Sequence, residues 1–322
     1  MITAIVNPKA QTRHAELVHA LTSASGRLRI LAADEPSAID ALLSDPDQLA
    51  ATELIIVAGG DGTVSNLLTR AGLYDALDRL PPMLLLPVGD VGTAARELVG
   101  AGAVDALASR VLVAWGRGVR RIAQLPVVRL RVGGESSRVG ITASLGAIAR
   151  AHRDYAAAVV PGSVGLSEVL LRFGTGSLPD DRFRRIAAEV RWQDPLGRSG
   201  AMQGVTAALL SPLPGFFGWV RPFPAVRGLA VDGVHGLVSG LGPFATKLSL
   251  PRLLRGVRPN GRRFHAGPLA KLQFEVEDDP DVAVVDGERV ALPPGATVSV
   301  EALAPLRVVA WRPIPKGEIV PG

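Results

Sequence analysis

The stretch Leu54-Ile-Ile-Val-Ala-Gly-Gly-Asp-Gly-Thr-Val-Ser-Asn66 decides the fold of this chain. Leu54–Ala58 is an apolar run of strand length, three glycines follow within four positions, and Val64–Ala71 then has helical spacing. An apolar run without alternation is a strand buried on both faces, as in parallel sheets. Glycines permit a tight turn with bare backbone amides, and a helix start adds partial positive charge, so Gly59-Gly60-Asp61-Gly62 suits a phosphate. The spacing is neither the Walker pattern nor the dinucleotide fingerprint. A carboxylate in such a cradle repels phosphate unless a cation intervenes. Asp61 therefore reads as a magnesium ligand, directly or through water, or as a group that handles an acceptor proton. The competing reading is a glycine turn capped by aspartate.

Working outward, Ile2–Val6, Leu28–Ala32 and Met83–Leu86 also read as strands, and Ala15–Ser23, Ser37–Leu43 and Thr93–Leu98 as helices. This alternation predicts a Rossmann-like α/β domain with a parallel sheet covered on both faces, which binds ligands at the carboxyl ends of its strands. Beyond about residue 120 the texture changes. Val127–Val132, Arg184–Trp192, Lys271–Val276 and Thr297–Ala302 alternate between Gly-Gly, Pro-Gly and Asp-Gly turns, the pattern of a mainly antiparallel, β-rich domain. The expected division is 1–120 for the α/β nucleotide-binding domain, 121–304 for the β-rich substrate domain, and 305–322 for a segment returning to the first domain. Ile148–Val160 looks helical, and Ser211–Arg227 is a proline- and aromatic-rich loop long enough to bind something. Its Phe216, Phe217, Trp219 and Phe223 suit an acyl chain, a membrane surface or a buried core. The tail Pro313–Gly322 reads as partly disordered.

Composition narrows the chemistry. Across 322 residues there is no cysteine, which excludes disulfides, thiolate metal sites and a cysteine nucleophile. Mean hydropathy is +0.27, yet no apolar stretch is long enough to span a bilayer, and Met1–Asn7 reads as a buried strand rather than a secretory signal. A cytoplasmic location, peripheral at a membrane, is the expectation. A net charge of +5 fits an anionic partner or a solvated basic face. Aromatic residues make up only 4%, too few for a nucleic-acid stacking platform, so no nucleic-acid partner is expected. The five histidines lack zinc-ligand spacing and read as surface or helix residues. Gly162-Ser163-Val164-Gly165 lacks the preceding strand of a hydrolase elbow. Arg182, Arg184 and Arg185 read as the solvated face of a strand.

Three motifs in order carry a resemblance: Ile5-Val-Asn-Pro-Lys9, Gly59-Gly60-Asp61-Gly62-Thr63 and Asp286-Gly287-Glu288. The chain resembles the diacylglycerol kinase catalytic-domain family, which includes bacterial lipid kinases and sphingosine kinases and is related to NAD kinases. The resemblance implies ATP with magnesium and phosphoryl transfer to a hydroxyl of a lipid such as diacylglycerol. It places Asn7, Pro8, Lys9, Gly59, Gly60, Asp61, Gly62, Thr63, Gly89, Gly92, Thr93 and Arg96 around the nucleotide. Asp286 would take the acceptor proton, Glu288 would support the nucleotide side, and Asp61 would carry the metal. Phosphoryl transfer needs alignment, charge neutralisation and a nearby base more than covalent chemistry. Asp286-Gly287 also reads as a plain hairpin turn.

The departures from the family pattern are specific. Pro87-Val-Gly-Asp-Val-Gly-Thr-Ala-Ala-Arg96 keeps the proline, Gly89, Ala95 and Arg96, but Asp90 stands where a nucleotide-contacting threonine belongs. Ala10-Gln11 replaces Ser-Gly, and Asp232-Gly-Val-His-Gly236 lacks the second aspartate of a structural magnesium motif. The alternative reading is a nucleotide- or lipid-binding protein on a lipid-kinase fold with impaired catalysis. A homodimer is compatible with either.

Overall fold

The structure is a computed structural model and describes residues 1–9, 14–24, 28–88, 92–100, 103–134, 136–156, 180–216, 220–223, 228–259, 263–277, 279 and 281–311. Two compact units emerge, one built on Met1–Leu125 with Ala304–Ile314, the other on Pro126–Leu303.

In the first unit the order is β1 (Ile2–Val6), α1 (His14–Ala24), β2 (Leu28–Ala32), α2 (Pro36–Ser44), α3 (Pro46–Ala50), β3 (Leu54–Gly59), α4 (Asp61–Leu73), β4 (Met83–Pro87), α5 (Thr93–Val99) and α6 (Val104–Gly116). The strands pair in parallel in the order β2-β1-β3-β4. β3 is buried at every position, as a central strand flanked by helices must be. Its register with β1 and β4 sets Val6 beside Ala58 and Gly59 beside Pro87, so three strands end level with one another. The helices close the core with one stripe each, Leu67 and Leu68 from α4 and Val111 and Leu112 from α6 among them. α2 and α4 are joined by an ion pair, Arg70 to Asp40 at 2.6 Å. No single helix among the described residues is long and apolar enough to cross a bilayer.

The second unit contains β5 (Ile122–Val132), β6 (Ser136–Gly140), β7 (Ala143–Gly146), α7 (Ala147–Ala156), β8 (Ala187–Gln193), β9 (Ser199–Val205), β10 (Ala207–Ser211), β11 (Val234–Ser239), α8 (Pro243–Leu254), β12 (Phe264–Leu269), β13 (Lys271–Glu275), β14 (Asp281–Val285), β15 (Glu288–Leu292) and β16 (Thr297–Val309). β5 and β16 each have one end in either unit. One antiparallel sheet runs β12-β11-β10-β7-β14-β15. A second antiparallel run is β16-β13-β8-β9. Side chains from both, including Leu145, Ala208, Val285, Val190, Leu272 and Val300, fill one core. The expected α/β fold followed by an antiparallel β-rich part is therefore what the chain adopts.

Some elements differ from their sequence reading. Arg184–Ile186 is not strand: Asp180–Phe183 forms a 3-10 turn and β8 starts at Ala187. In this stretch the buried guanidinium of Arg150 donates to the Arg182 and Arg184 carbonyls, so these two acceptors are not available to a strand partner. Arg182 and Arg184 are thus not a solvated strand face, and Arg184 pairs with Asp279 at 3.2 Å. Val104–Gly116, which the alternation does not single out, is a helix. His235 and His265 sit on strands rather than on helices or at the surface. The His235 ring is buried with Nε2 2.9 Å from the Gly228 carbonyl, and His265 packs on Trp192. In the Ser211–Arg227 loop, Phe223 is core and Phe216 packs against the same cluster. Ala10-Gln11, Gly89, Asp90, 157–160, Gly162–Gly165, Phe217, Trp219, 224–227 and the 313–322 tail lie outside the described residues.

Candidate functional site

The level strand ends of the first unit collect the motifs. Asn7 follows β1, and its amide N–H donates to the Ala58 carbonyl at 2.9 Å, extending the β1–β3 ladder by one bond. Its side-chain Nδ2 donates to Thr63 Oγ1 at 3.1 Å, and its Oδ1 accepts the Lys9 N–H at 3.0 Å. One asparagine therefore shapes the Pro8-Lys9 turn and fastens it to the first turn of α4.

The glycines at the end of β3 serve different purposes. A Cβ on Gly59 would lie 2.6 Å from Thr63 Cβ and 2.8 Å from Thr63 Cγ2, so glycine is needed to let Thr63 fold back over the strand end. The turn does not need left-handed backbone here: Gly60, which caps α4, has φ −81° and ψ −179°. A Cβ on Gly60 would meet nothing within 4 Å. That side of Gly60 is open at the start of a 13-residue helix, which leaves room for a phosphate to approach.

Asp61 and Gly62 open α4, and the Asp61 carboxylate turns toward α5. Thr93 N–H donates to Asp61 Oδ2 at 3.2 Å. Gly92, the cap of α5, has φ +50° and a notional Cβ 3.3 Å from Pro87 Cα, a left-handed and tight position that favours glycine, which has no side chain to cap the helix. Asp61 supplies that cap from the neighbouring helix. Burial pushes the Asp61 carboxyl above its ordinary range. The Thr93 N–H and hydroxyl, the Ala94 N–H and the charge of Arg96 oppose that rise. The residue is half-buried overall, but the carboxyl itself is enclosed enough for desolvation to dominate. Asn7, Lys9, Gly60, Asp61, Thr63, Gly92, Thr93 and Arg96 all fall on this one edge, where β1, β3 and β4 give way to loops and helices.

A phosphate group at this edge would meet Gly60, the α4 amides and Lys9. For a magnesium ion the protein offers little more than Asp61, since no cluster of three His, Asp or Glu exists among the described residues. One carboxylate with phosphates and water is a normal magnesium arrangement.

In the second unit, Asp286-Gly287 is the two-residue turn of the β14–β15 hairpin, with φ +47° and +88°. Both positive angles identify the type I′ turn that Asp-Gly favours. The Asp286 carboxylate does more than turn the chain: Oδ2 accepts the Ile141 N–H at 2.7 Å and Oδ1 the Thr142 N–H at 2.8 Å. Its own N–H donates to the Thr142 carbonyl at 3.0 Å. Gly140 permits this, because a Cβ there would lie 2.5 Å from Val285 Cγ1 and against the Asp286 carboxyl. Glu288, the first residue of β15, is exposed. Thr142 and His152 belong to the surroundings of this turn and have no signal in the sequence. Thr142 Oγ1 is 3.0 Å from Ser211 Oγ, and His152 Nε2 is 3.8 Å from a notional Gly287 Cβ. Burial and then the charge of Arg289 lower the His152 pKa, which Glu288 partly offsets.

Comparison with known proteins agrees with the sequence resemblance. Residues 1–120 match the family model of the diacylglycerol kinase catalytic domain. No curated protein matches the chain. Among solved structures, a candidate diacylglycerol kinase from Bacillus anthracis str. Sterne superposes with TM-score 0.65 at 17% identity over 97% of both chains. A diacylglycerol kinase from the same organism gives TM-score 0.61 at 15% identity, again over 97% of both chains. At these identities the likeness establishes the fold, and the family match rests on the first 120 residues.

Proposed function

We propose that this chain, whose residues 1–120 match the model of the diacylglycerol kinase catalytic domain, transfers the γ-phosphoryl group of ATP to a hydroxyl of a lipid such as diacylglycerol. The observation that carries the reading is the gathering of Asn7, Gly60, Asp61 and Thr93 at the level ends of β1, β3 and β4. Open backbone at Gly60, the α4 amides and Lys9 bind the phosphates. Asp61 would hold the magnesium and, through the Thr93 N–H, keeps the α5 end in place. Bound magnesium-ATP would supply the phosphoryl group together with neutralisation of its charge. Asp286 takes the proton from the acceptor hydroxyl, oriented by the Ile141 and Thr142 amides, and Glu288 supports the nucleotide side. The two amides keep the carboxylate fixed in one orientation.

The test is transfer from labelled ATP, with magnesium, to a panel of long-chain mono- and diacyl alcohols. Label should appear in a phospholipid-like product, and Asp286→Asn should abolish it. A well-folded chain that binds ATP but labels no acceptor, with Asp286→Asn indistinguishable from wild type, would make this a nucleotide-binding protein instead.

A further inference from the structure

Helix α8 has two unlike faces. Ala245 and Leu253 pack inward on the small core of Leu209, Phe223, Leu237, Leu241 and Phe264. Outward, Phe244 is 75% exposed and Leu248 66%, one turn apart. Arg252 continues the same i, i+4 stripe, Arg255 caps the helix on that side, and both are exposed. Arg221, also exposed, is bridged to Arg255 through the backbone, and Val257 just beyond is 49% exposed. From Pro243 to Arg263 the sequence has six basic residues and no acidic one.

An isolated exposed leucine needs no explanation, but a Phe–Leu pair continuing into arginines on one stripe does. Water tolerates the arginines and penalises the rings and methyls. An anionic bilayer surface suits both, because apolar side chains enter the acyl boundary while guanidinium groups stay at phosphate level. We infer that the outer face of α8 docks the protein on bilayers containing anionic lipid. The inference gives the lipid-kinase reading its approach to the acceptor and rests on that reading for its purpose, although the binding itself needs no ATP. A protein partner of ordinary composition is less suited, since the stripe has no acceptor or acidic group to satisfy a mixed polar rim.

The experiment is flotation of the full chain with phosphatidylcholine vesicles, with and without about 30% phosphatidylglycerol, in low and high salt. Binding should require the anionic lipid. Phe244→Ser with Leu248→Ser should weaken it about tenfold or more at either salt concentration. Arg252→Gln with Arg255→Gln should remove most of its salt dependence. Both variants should keep the wild-type melting midpoint and wild-type transfer to a soluble short-chain acceptor. Absence of binding by the wild type, or equal binding by both variants, overturns the inference. So does a change from dimer to monomer in the Phe244, Leu248 variant with vesicle binding unchanged. Failure of transfer in the wild type with vesicle binding intact would instead count against the kinase reading alone.

Discussion

Asp61 Oδ2 accepts the Thr93 N–H at 3.2 Å, so a carboxylate in the first turn of one helix caps the start of the next. Gly92 has no side chain to cap α5, and the level ends of parallel β3 and β4 bring the starts of the two following helices within reach of each other. The two readings of Asp61, cap and metal ligand, separate by substitution. Asp61→Asn keeps an acceptor for Thr93 and sheds a charge that burial disfavours, so melting should stay within about 1 kcal/mol of wild type. Magnesium-dependent transfer should fall about a hundredfold or more. Asp61→Ala should lose the same activity and about 1–2 kcal/mol of stability. Unchanged kcat/KM in Asp61→Asn would leave the residue a cap only.

Gly59→Ala tests the close approach of Thr63. The added methyl collides with the Thr63 side chain, which must leave Asn7, and urea denaturation should register a loss of about 1–3 kcal/mol. Adding Thr63→Ala should restore most of that loss, because the collision disappears. If the double variant is as unstable as Gly59→Ala, the glycine is needed for some other reason.

Asp286→Ala removes the acceptor for two backbone amides and sets alanine at φ +47°. A loss of about 2–4 kcal/mol follows from the orphaned amides and the left-handed strain. Asp286→Asn tolerates that φ and keeps one good acceptor, so its fold should survive while transfer falls about a thousandfold. Equal melting midpoints for the two variants would contradict the amide contacts.

Arg150 and Asp281 form a buried, bidentate ion pair, with Nε to Oδ1 at 3.0 Å and Nη2 closing the second bond. Arg150→Met leaves Asp281 buried without its counterion and should cost about 3–5 kcal/mol in denaturant. Arg150→Met with Asp281→Leu should recover much of that, since two apolar side chains replace two desolvated charges. No recovery would mean that the bonds to the Arg182 and Arg184 carbonyls dominate.

The buried ring of His235 should make stability fall with acid. Burial lowers its folded pKa, which the Gly228 carbonyl offsets only in part. The unfolded chain therefore takes up a proton as pH drops below about 6.5 while the folded chain does not. The contribution is full above that pH and is lost progressively down to the folded pKa. His152 and His265 shift in the same direction. His235→Gln, which keeps a donor for Gly228, should show a smaller drop in urea midpoint between pH 7.5 and 5.5 than wild type. Parallel curves would refute the assignment.

Legibility in the sequence followed the range of the interactions. Apart from the short helix Pro46–Ala50, the order of strands and helices from Ile2 to Val99 could be read because a buried strand and an amphipathic helix each leave a local apolar period. The irregular stretch before β8 could not, because its Arg182 and Arg184 carbonyls accept from Arg150, which lies more than thirty residues earlier in the chain. The reason for Gly59 was also hidden. The tetrapeptide suggests backbone freedom, whereas the folded chain uses the missing Cβ as room for Thr63.

By itself the sequence determined the α/β-then-β-rich order, the glycine turn at the end of β3, and the Asp-Gly hairpin turn, because each depends on neighbours a few residues apart. Only the tertiary structure decided what the two carboxylates touch. Thr93 lies 32 residues from Asp61, and Ile141 and Thr142 lie 145 and 144 residues from Asp286. Strand register brings such partners together, and for Asp61 the burial that follows raises its pKa; neither is written in any local window.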